Sequence, residues 1–218
     1  SPMMMPKFQN IYGNREGELG SWGSLMDTPS NFDPSDFFNT GMTEMNGFTL
    51  TTGTEQNQTY ASVSTTNSTG ILPNNAYNRY NFSIRNTAKF CDNKLSLDLG
   101  AQYIIQNNKN MVGSGQYFNP LVSLYLFPRG ENFQEVQMYE RYSEARNLMV
   151  QYWPESIFGT DLDMQNPYWI MNRMQNELSK RRYMFNASLK WDITDWVNVT
   201  GRVRVDNSDS DSYEKYYA

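Results

Sequence analysis

Apolar and polar side chains alternate along four segments of this chain, in two adjacent pairs. The pairs are residues 80–90 with 95–105, and residues 183–191 with 197–205. Successive side chains of a β-strand point to opposite faces, so the alternation predicts two β-hairpins that each have one apolar and one polar face. A weaker alternation over residues 45–52 and 58–66 predicts a third hairpin.

The connections between these strands alternate in length. Short turns are predicted at 53–56, 91–93 and 192–195, and long connections at 69–78, 106–181 and after Asp206. A loop of roughly 75 residues is abnormal in a compact soluble domain. Outer-membrane barrels combine short periplasmic turns with long extracellular loops. The pattern therefore favours a membrane barrel over a β-sandwich, although both need one apolar face per strand.

The length of the alternating segments and their aromatic residues agree with a barrel. Each segment is about ten residues long, which is what a tilted strand needs to cross the hydrocarbon layer of a bilayer. Aromatic residues, which favour membrane interfaces, lie near the predicted strand ends. They are Tyr80, Phe90, Tyr103, Tyr183, Trp191 and Trp196. The alternative is that strands are rich in aromatic residues in any case.

Composition removes several classes of function. The chain has 218 residues, no histidine and one cysteine, Cys91, which excludes a histidine-dependent triad, a histidine-bound zinc and an internal disulfide. A net charge of -5 without a basic patch disfavours nucleic acid as a partner. A mean hydropathy of -0.70 fits a barrel, in which only alternate residues meet lipid. We assign no catalytic residue, because neighbouring acids such as Asp161 and Asp163 do not establish a cleft; no enzyme activity and no cofactor are predicted.

The predicted fold class is all-β, an antiparallel up-and-down transmembrane β-barrel segment with long extracellular loops that contain short helices. Its parts are an extracellular loop region (1–41), barrel strands (42–106), a long extracellular loop insertion (107–181), a barrel hairpin (182–206) and the start of the next extracellular loop (207–218). Helical turns are predicted at 35–40, with Ser35 or Asp33 as the cap, at 135–150 and at 171–179. About six strands cannot close a barrel, which takes about eight, so we expect the chain to be an internal piece of a larger one.

Six short motifs resemble the SusC/RagA family of TonB-linked outer-membrane transporters of the Bacteroidetes. They are DFFNTG (36–41), GTE (53–55), GILPNN (70–75), RYNFSIR (79–85), NPYW (166–169) and LKWDITDW (189–196). The resemblance implies a barrel of about 22 strands in the cell outer membrane, with a plug domain that lies outside this chain. It also implies energy from the TonB complex, through parts absent from this chain. The remaining implied partners are a SusD-like surface lipoprotein and an imported oligosaccharide or peptide.

One group of residues in the long insertion has the composition of a carbohydrate site. Sugar C–H faces pack on aromatic rings, and sugar hydroxyls hydrogen-bond to amides and carboxylates. The candidate substrate-binding residues are Tyr152, Trp153, Tyr168, Trp169 and Asn166. The alternative interpretation is that these aromatic residues pack the insertion against its neighbours.

An acidic run near the end of the chain is a possible calcium ligand set. It comprises Asp206, Asp209, Asp211 and Glu214. The run lacks the glycine and the ligand spacing of an EF-hand loop, so a solvated surface loop is the favoured interpretation and no metal site is predicted.

Two functions from different classes remain. The first is a segment of a TonB-dependent nutrient importer, and the second is a secreted or surface β-sandwich that binds glycans. The apolar face of the strands separates them, because a sandwich buries that face against a second sheet whereas a barrel exposes it to lipid.

Overall fold

A computed structural model describes residues 11–14, 21–28, 33–113, 115, 117–127, 132–153 and 165–217. Its strands are β1 (Tyr12–Asn14), β2 (Ser21–Leu25), β3 (Met42–Gly53), β4 (Asn57–Thr69), β5 (Ala76–Phe90), β6 (Leu95–Lys109), β7 (Glu140–Ser143), β8 (Leu148–Gln151), β9 (Gln175–Thr194) and β10 (Val197–Lys215). The α-helices are α1 (Pro120–Leu126) and α2 (Pro167–Arg173), and two 3₁₀-helices cover Pro34–Phe37 and Phe133–Gln137. No helix among these residues is both long enough and apolar enough to cross a membrane.

Six long strands form one antiparallel sheet in the order β3, β4, β5, β6, β9, β10. The three predicted hairpins are therefore present, and consecutive hairpins lie side by side. Two further sheets contain two strands each, β1 with β2 and β7 with β8. The prediction of an all-β, antiparallel architecture is confirmed. Within the described residues β3 and β10 have no strand partner on their outer sides, so the sheet is open.

The register of the six strands puts like side chains in continuous rows across the sheet. One row contains Leu50, Ala61, Ile84, Ala101, Phe185 and Val205, each directly opposite the next. The adjacent row on the other side contains Thr49, Ser62, Ser83, Gln102, Met184 and Asp206. We call the side of the first row the apolar face and the side of the second row the polar face.

The apolar face is not covered by any other described part of the chain. Phe48 is 68% exposed and Val203 is 63% exposed, and large apolar side chains of every strand between them are also exposed or half-buried. Of the buried hydrophobic residues, all but Ala88 lie outside the six strands. The sheet therefore has no core of its own on either face within the described residues.

All three short turns lie at one end of the sheet. The turns follow Gly53, Phe90 and Thr194, and the register brings these strand ends together. The longer connections, 70–75 and 110–174, lie at the opposite end. We call these the short-turn end and the long-connection end. The predicted short turns and the long insertion are confirmed, but the connection predicted at 69–78 is shorter, 70–75, and the one predicted after Asp206 is strand as far as Lys215.

The strands extend further than the sequence predicted at the long-connection end. β6 continues to Lys109, β9 begins at Gln175 and β10 continues to Lys215. The insertion therefore comprises 110–174 instead of 107–181, and residues 207–215 are strand instead of loop. The cause is that the backbone hydrogen bonds between strands continue into segments where both faces carry mostly polar side chains. The alternation of apolar and polar residues therefore ends before the strand does. For the same reason Tyr80, Tyr103 and Tyr183 lie inside their strands, at the limit of the apolar pattern.

The insertion is less helical than predicted. The prediction of a helix over 135–150 is wrong. That segment forms the end of one 3₁₀-helix and then the β7–β8 hairpin, in whose turn Asn147 has a φ angle of 53°. The helix predicted at 171–179 begins and ends earlier, as α2, and the residues after it enter β9. Before β3, the helical turn is at Pro34–Phe37, and Asp33 is the cap: its Oδ1 accepts a hydrogen bond from the Ser35 amide at 2.9 Å.

The main hydrophobic cluster lies at the long-connection end of the sheet and is built from the connections. Its buried members are Phe37, Leu72, Leu124, Phe127, Phe133, Val136, Ile170 and Met171. They come from the segment before β3, the β4–β5 connection and the insertion, so the cluster joins three separate parts of the chain. The loops of this chain therefore have a packed core, while the sheet faces do not.

The β3–β4 turn depends on a glycine, which gives a first prediction. Gly53 has φ +145°, and a Cβ there would lie 2.1 Å from the Asn57 carbonyl oxygen. Gly53→Ala should lower the free energy of unfolding by about 2 kcal/mol, because the backbone at residue 53 and the Asn57 carbonyl would both have to move to make room for the Cβ. Gly47→Ala on the same strand is the matched control, since the nearest atom to its Cβ would be 4.0 Å away. Urea unfolding of both variants measures this; equal midpoints would contradict the assigned turn geometry.

Candidate functional site

Asn166 organises the region in which the sequence predicted a carbohydrate site. It is fully buried and caps α2, where its Oδ1 accepts a hydrogen bond from the Tyr168 amide at 2.9 Å. Its Nδ2 donates to the carbonyl oxygens of Val136 and Tyr152, at 2.9 and 3.0 Å. Its own backbone amide donates to Oε1 of Gln151 at 2.6 Å. All the side-chain hydrogen-bonding atoms of Asn166 are thus used to join α2, the 3₁₀-helix and the end of β8.

The other predicted residues lie around Asn166, mostly as packing residues. Trp169 is 1% exposed, so neither it nor Asn166 can contact a ligand in this conformation, and both are corrected to structural residues. Tyr168 is half-buried and meets the Phe37 ring edge-to-face, with centroids 4.9 Å apart. Trp153 packs against the hydrophobic cluster. The structure brings the predicted residues together, but as part of a packed core instead of an open aromatic surface.

Tyr152 is half-buried beside a cation. The guanidinium carbon of Arg141 lies 5.0 Å from the centre of the Tyr152 ring. The backbone amide of Tyr152 donates to the Tyr139 carbonyl at 2.8 Å, which continues the β7–β8 hairpin. Substrate contact by Tyr152, Trp153 or Tyr168 stays a prediction. Asp161 and Asp163 lie outside the described residues.

A second set of asparagines fixes the insertion to the end of the sheet. Asn110 is buried; its Nδ2 donates to the carbonyls of Asn74 and Met171, at 3.1 and 3.3 Å, and its Oδ1 accepts from the Asn176 amide at 3.1 Å. Asn75 donates to the Asn110 carbonyl at 2.9 Å. Asn74 and Asn110 have positive φ angles, 57° and 49°, which asparagine tolerates better than most residues. The β4–β5 connection, the end of β6, α2 and the start of β9 are therefore held in one arrangement.

One ion pair reinforces the packing of α2. Arg173, in the last turn of α2, donates from Nε and Nη2 to the two carboxylate oxygens of Glu140 at 2.7 and 2.8 Å. The Glu140 carboxylate thereby raises the pKa of Arg173 above its usual value. Burial, in turn, raises the pKa of the Tyr168 phenol. At neutral pH, therefore, Arg173 is charged and Tyr168 is uncharged.

A pocket of about 250 Å³ opens where the insertion meets the polar face at the long-connection end. We call it the end pocket. Asn176 and Glu214 on its rim are direct cross-strand partners of β9 and β10. Its lining residues are Asn110, Met111, Val112, Gly113, Phe118, Pro120, Ile170, Met171, Met174, Asn176, Glu214 and Tyr216.

Two exposed aromatic rings and a carboxylate define the chemistry of the end pocket. Phe118 and Tyr216 have ring centres 5.3 Å apart, and they are 41% and 56% exposed. The Tyr216 hydroxyl donates to Oε2 of Glu214 at 2.6 Å, and this bond raises the pKa of Tyr216. The sequence analysis missed this site. The signal that could have found it is the spacing of Glu214, near the end of β10, and Tyr216, just after that strand, but the sequence analysis assigns this segment to a loop.

The four acids of the acidic run do not converge in this structure. The alternation along β10 puts Asp206 and Glu214 on the polar face and Asp209 and Asp211 on the opposite face. Asp206 is also held by Arg182, whose Nε donates to its Oδ1 at 2.8 Å. Within the described residues no group of three or more acidic, histidine or cysteine side chains converges in a way that could hold a metal ion.

The polar face carries paired charges and amides along its whole length. Arg85 donates from Nε to both carboxylate oxygens of Asp98, at 3.2 and 3.0 Å, and Gln102 donates to Oδ1 of Asn81 at 2.8 Å. Gly100 leaves room for a neighbouring amide, because a Cβ there would lie 2.4 Å from Oδ1 of Asn186. These side chains suit a face that meets water or polar ligands.

Comparison with known proteins adds no family assignment. No protein-family model matches this chain, and no curated protein matches it. The basis for a function is therefore the geometry of the sheet and the end pocket, together with the motifs that resemble the SusC/RagA family.

The role of Asn166 gives a second prediction. Asn166→Ala removes a helix cap and leaves the carbonyl groups of Val136 and Tyr152, the first buried and the second partly buried, without this donor. We therefore expect the insertion to lose about 2–4 kcal/mol of local stability. Hydrogen exchange of the α2 and β8 amides in the intact protein measures this loss. Gln134→Ala, at an exposed position on the 3₁₀-helix of the insertion, is the control and should leave exchange unchanged. Unchanged exchange in Asn166→Ala would contradict the structural role.

Proposed function

We propose that this chain is part of a TonB-dependent transporter of the cell outer membrane, which imports glycans or peptides together with a SusD-like surface lipoprotein. The observation that carries the proposal is the exposed apolar face, whose rows run without interruption across six antiparallel strands. Such a face needs a cover, and lipid is the cover that a barrel provides.

The height of the apolar pattern supports a bilayer as that cover. On β5 the apolar face is bounded by Tyr80 and Phe90, which are ten residue steps apart. At about 3.4 Å per residue, and with a strand tilt of about 40°, this length rises by roughly 26 Å. The lipid-facing band of outer-membrane barrels is about 25 Å tall. Beyond Tyr80, the same face carries Asn78 and, on neighbouring strands, Asn107 and Ser179.

The two ends of the sheet support an orientation. The short turns would face the periplasm, and the packed insertion would stand outside the cell, as in known outer-membrane barrels. The free edges of β3 and β10 would pair with further strands, because unpaired edges of long strands otherwise promote aggregation. In this arrangement the polar face lines the interior of the barrel and the end pocket opens at its outer mouth.

The alternative of a secreted glycan-binding β-sandwich requires a second sheet against the apolar face. In the described residues the two small sheets, β1–β2 and β7–β8, do not cover that face, which stays exposed. The observed exposure therefore favours the importer, and no separate observation favours the sandwich.

The proposed orientation gives a third prediction, which uses the cysteine in the β5–β6 turn. Cys91 is exposed at the short-turn end. A membrane-impermeant maleimide should not modify Cys91 of the full-length protein on intact cells, but should do so after the outer membrane is permeabilised. Ala145→Cys, in the exposed β7–β8 turn, should be modified on intact cells. Mass spectrometry of the two peptides identifies the modified residue.

Two results of that experiment would overturn the proposal. Equal modification of Cys91 and Ala145→Cys on intact cells would put both ends of the sheet on the same side of the membrane. Recovery of the protein in the culture medium or the soluble fraction would exclude a membrane barrel and favour the binding module.

The two faces give a fourth prediction. Ala187 and Ser188 are neighbours on β9, at the same height, and point to the apolar and the polar face respectively. Ala187→Lys should destabilise the folded protein in the membrane by about 2–4 kcal/mol, the cost of a cation facing lipid near the bilayer midplane. Ser188→Lys should change stability little, because its side chain faces the polar interior. Unfolding in urea from lipid vesicles compares the two; equal effects would be evidence against a lipid-facing apolar face.

A further inference from the structure

We propose that the end pocket binds a single uncharged hexose unit of the imported substrate. This inference rests on the proposed import function and names its substrate class and the residues that recognise it. The site differs from the aromatic group that the sequence suggested, because its rings are exposed and its polar groups are free to accept a ligand.

The aromatic part of the pocket is available for stacking. Phe118 and Tyr216 contact each other, with ring centres 5.3 Å apart and ring planes 38° apart, and the two rings are still 41% and 56% exposed. Neither ring belongs to the hydrophobic cluster, so packing of the core does not need them. The C–H face of a pyranose is apolar and packs on such rings, whereas a charged or fully polar ligand would gain little there.

The polar part of the pocket offers the groups that sugar hydroxyls need. Glu214 uses Oε2 for Tyr216, and within the described residues Oε1 has no hydrogen-bond partner. Asn176 lies directly opposite on β9, and its side-chain amide likewise bonds to no described residue. A carboxylate that only accepts and an amide that donates and accepts can bind two neighbouring hydroxyls at once. The carboxylate also disfavours an anionic ligand.

The size and position of the pocket limit the ligand to one ring. Its volume of about 250 Å³ is below the roughly 300 Å³ at which pockets for drug-sized ligands begin. The floor is rigid, because Asn110 and Met171 on it belong to the asparagine network that fixes α2 to the sheet. A rigid, preformed site loses little entropy when it binds a small ligand, which matters for a weak one-ring contact.

The test measures binding of methyl glycosides of glucose, galactose and mannose to the detergent-purified full-length protein, by saturation-transfer NMR. At least one glycoside should bind, and Tyr216→Ala and Glu214→Gln should each weaken that binding by about tenfold. Tyr213→Ala is the matched control: this tyrosine is 57% exposed on β10, on the opposite face, and should leave affinity unchanged. Equal unfolding midpoints of all variants show that no loss comes from misfolding.

Each remaining outcome decides against the inference. If no glycoside binds, or if trialanine binds in place of the glycosides, the sugar assignment is wrong. If Tyr216→Ala binds as the wild type does, sugar binds elsewhere. The Cys91 experiment tests the import proposal separately. An outer-membrane protein that binds no glycoside would contradict this inference and leave the import proposal standing. A glycoside-binding protein found outside the membrane would contradict the import proposal, and with it the statement that the sugar is imported, but would leave the sugar site in the end pocket.

Discussion

The backbone ladder that joins six strands in one register is the constraint on which the rest of the structure depends. Side chains alternate along a strand, so a slip of one residue between any two strands would put an apolar row in line with a polar row. The observed register avoids this from β3 to β10, as the row from Leu50 to Val205 shows. A single apolar face of this width then follows from the sequence, and so does the need for something apolar to cover it.

The alternation made the centre of each strand predictable but not its ends. In residues 80–90 the sequence pattern and the strand agree, because apolar and polar side chains alternate there. In 207–215 both faces are polar, so only the hydrogen bonds to β9 make the segment a strand. Those bonds depend on a partner more than 20 residues away in sequence, which local periodicity cannot reveal. The end pocket was missed for the same reason, since Glu214 belongs to this extension and Tyr216 follows it directly.

In the insertion, sequence analysis identified a group of residues that lie together but could not assign their role. Its aromatic and amide residues were correctly singled out as a group, and Asn166, Tyr168 and Tyr152 do come together. Composition could not separate a ligand site from a polar centre of packing, because both use aromatic rings beside amides. Burial separates them: the Asn166 side chain is buried and forms all its hydrogen bonds with backbone groups, whereas the Asn176 side chain lies at the surface.

Rigidity of the insertion and openness of the pocket are linked physically. The segment 110–174 would lose much conformational entropy on forming a site if it were a free loop. Asn110 and Asn75 lower that cost in advance, because their side chains hydrogen-bond to the backbone of the β4–β5 connection, of the residue after β6, of α2 and of the start of β9. The hydrophobic cluster packs α1, the 3₁₀-helix Phe133–Gln137 and α2 together. A ligand that enters the end pocket then meets Phe118, Tyr216, Glu214 and Asn176 already in place, so a single sugar ring can be held by an exposed aromatic surface and two polar groups.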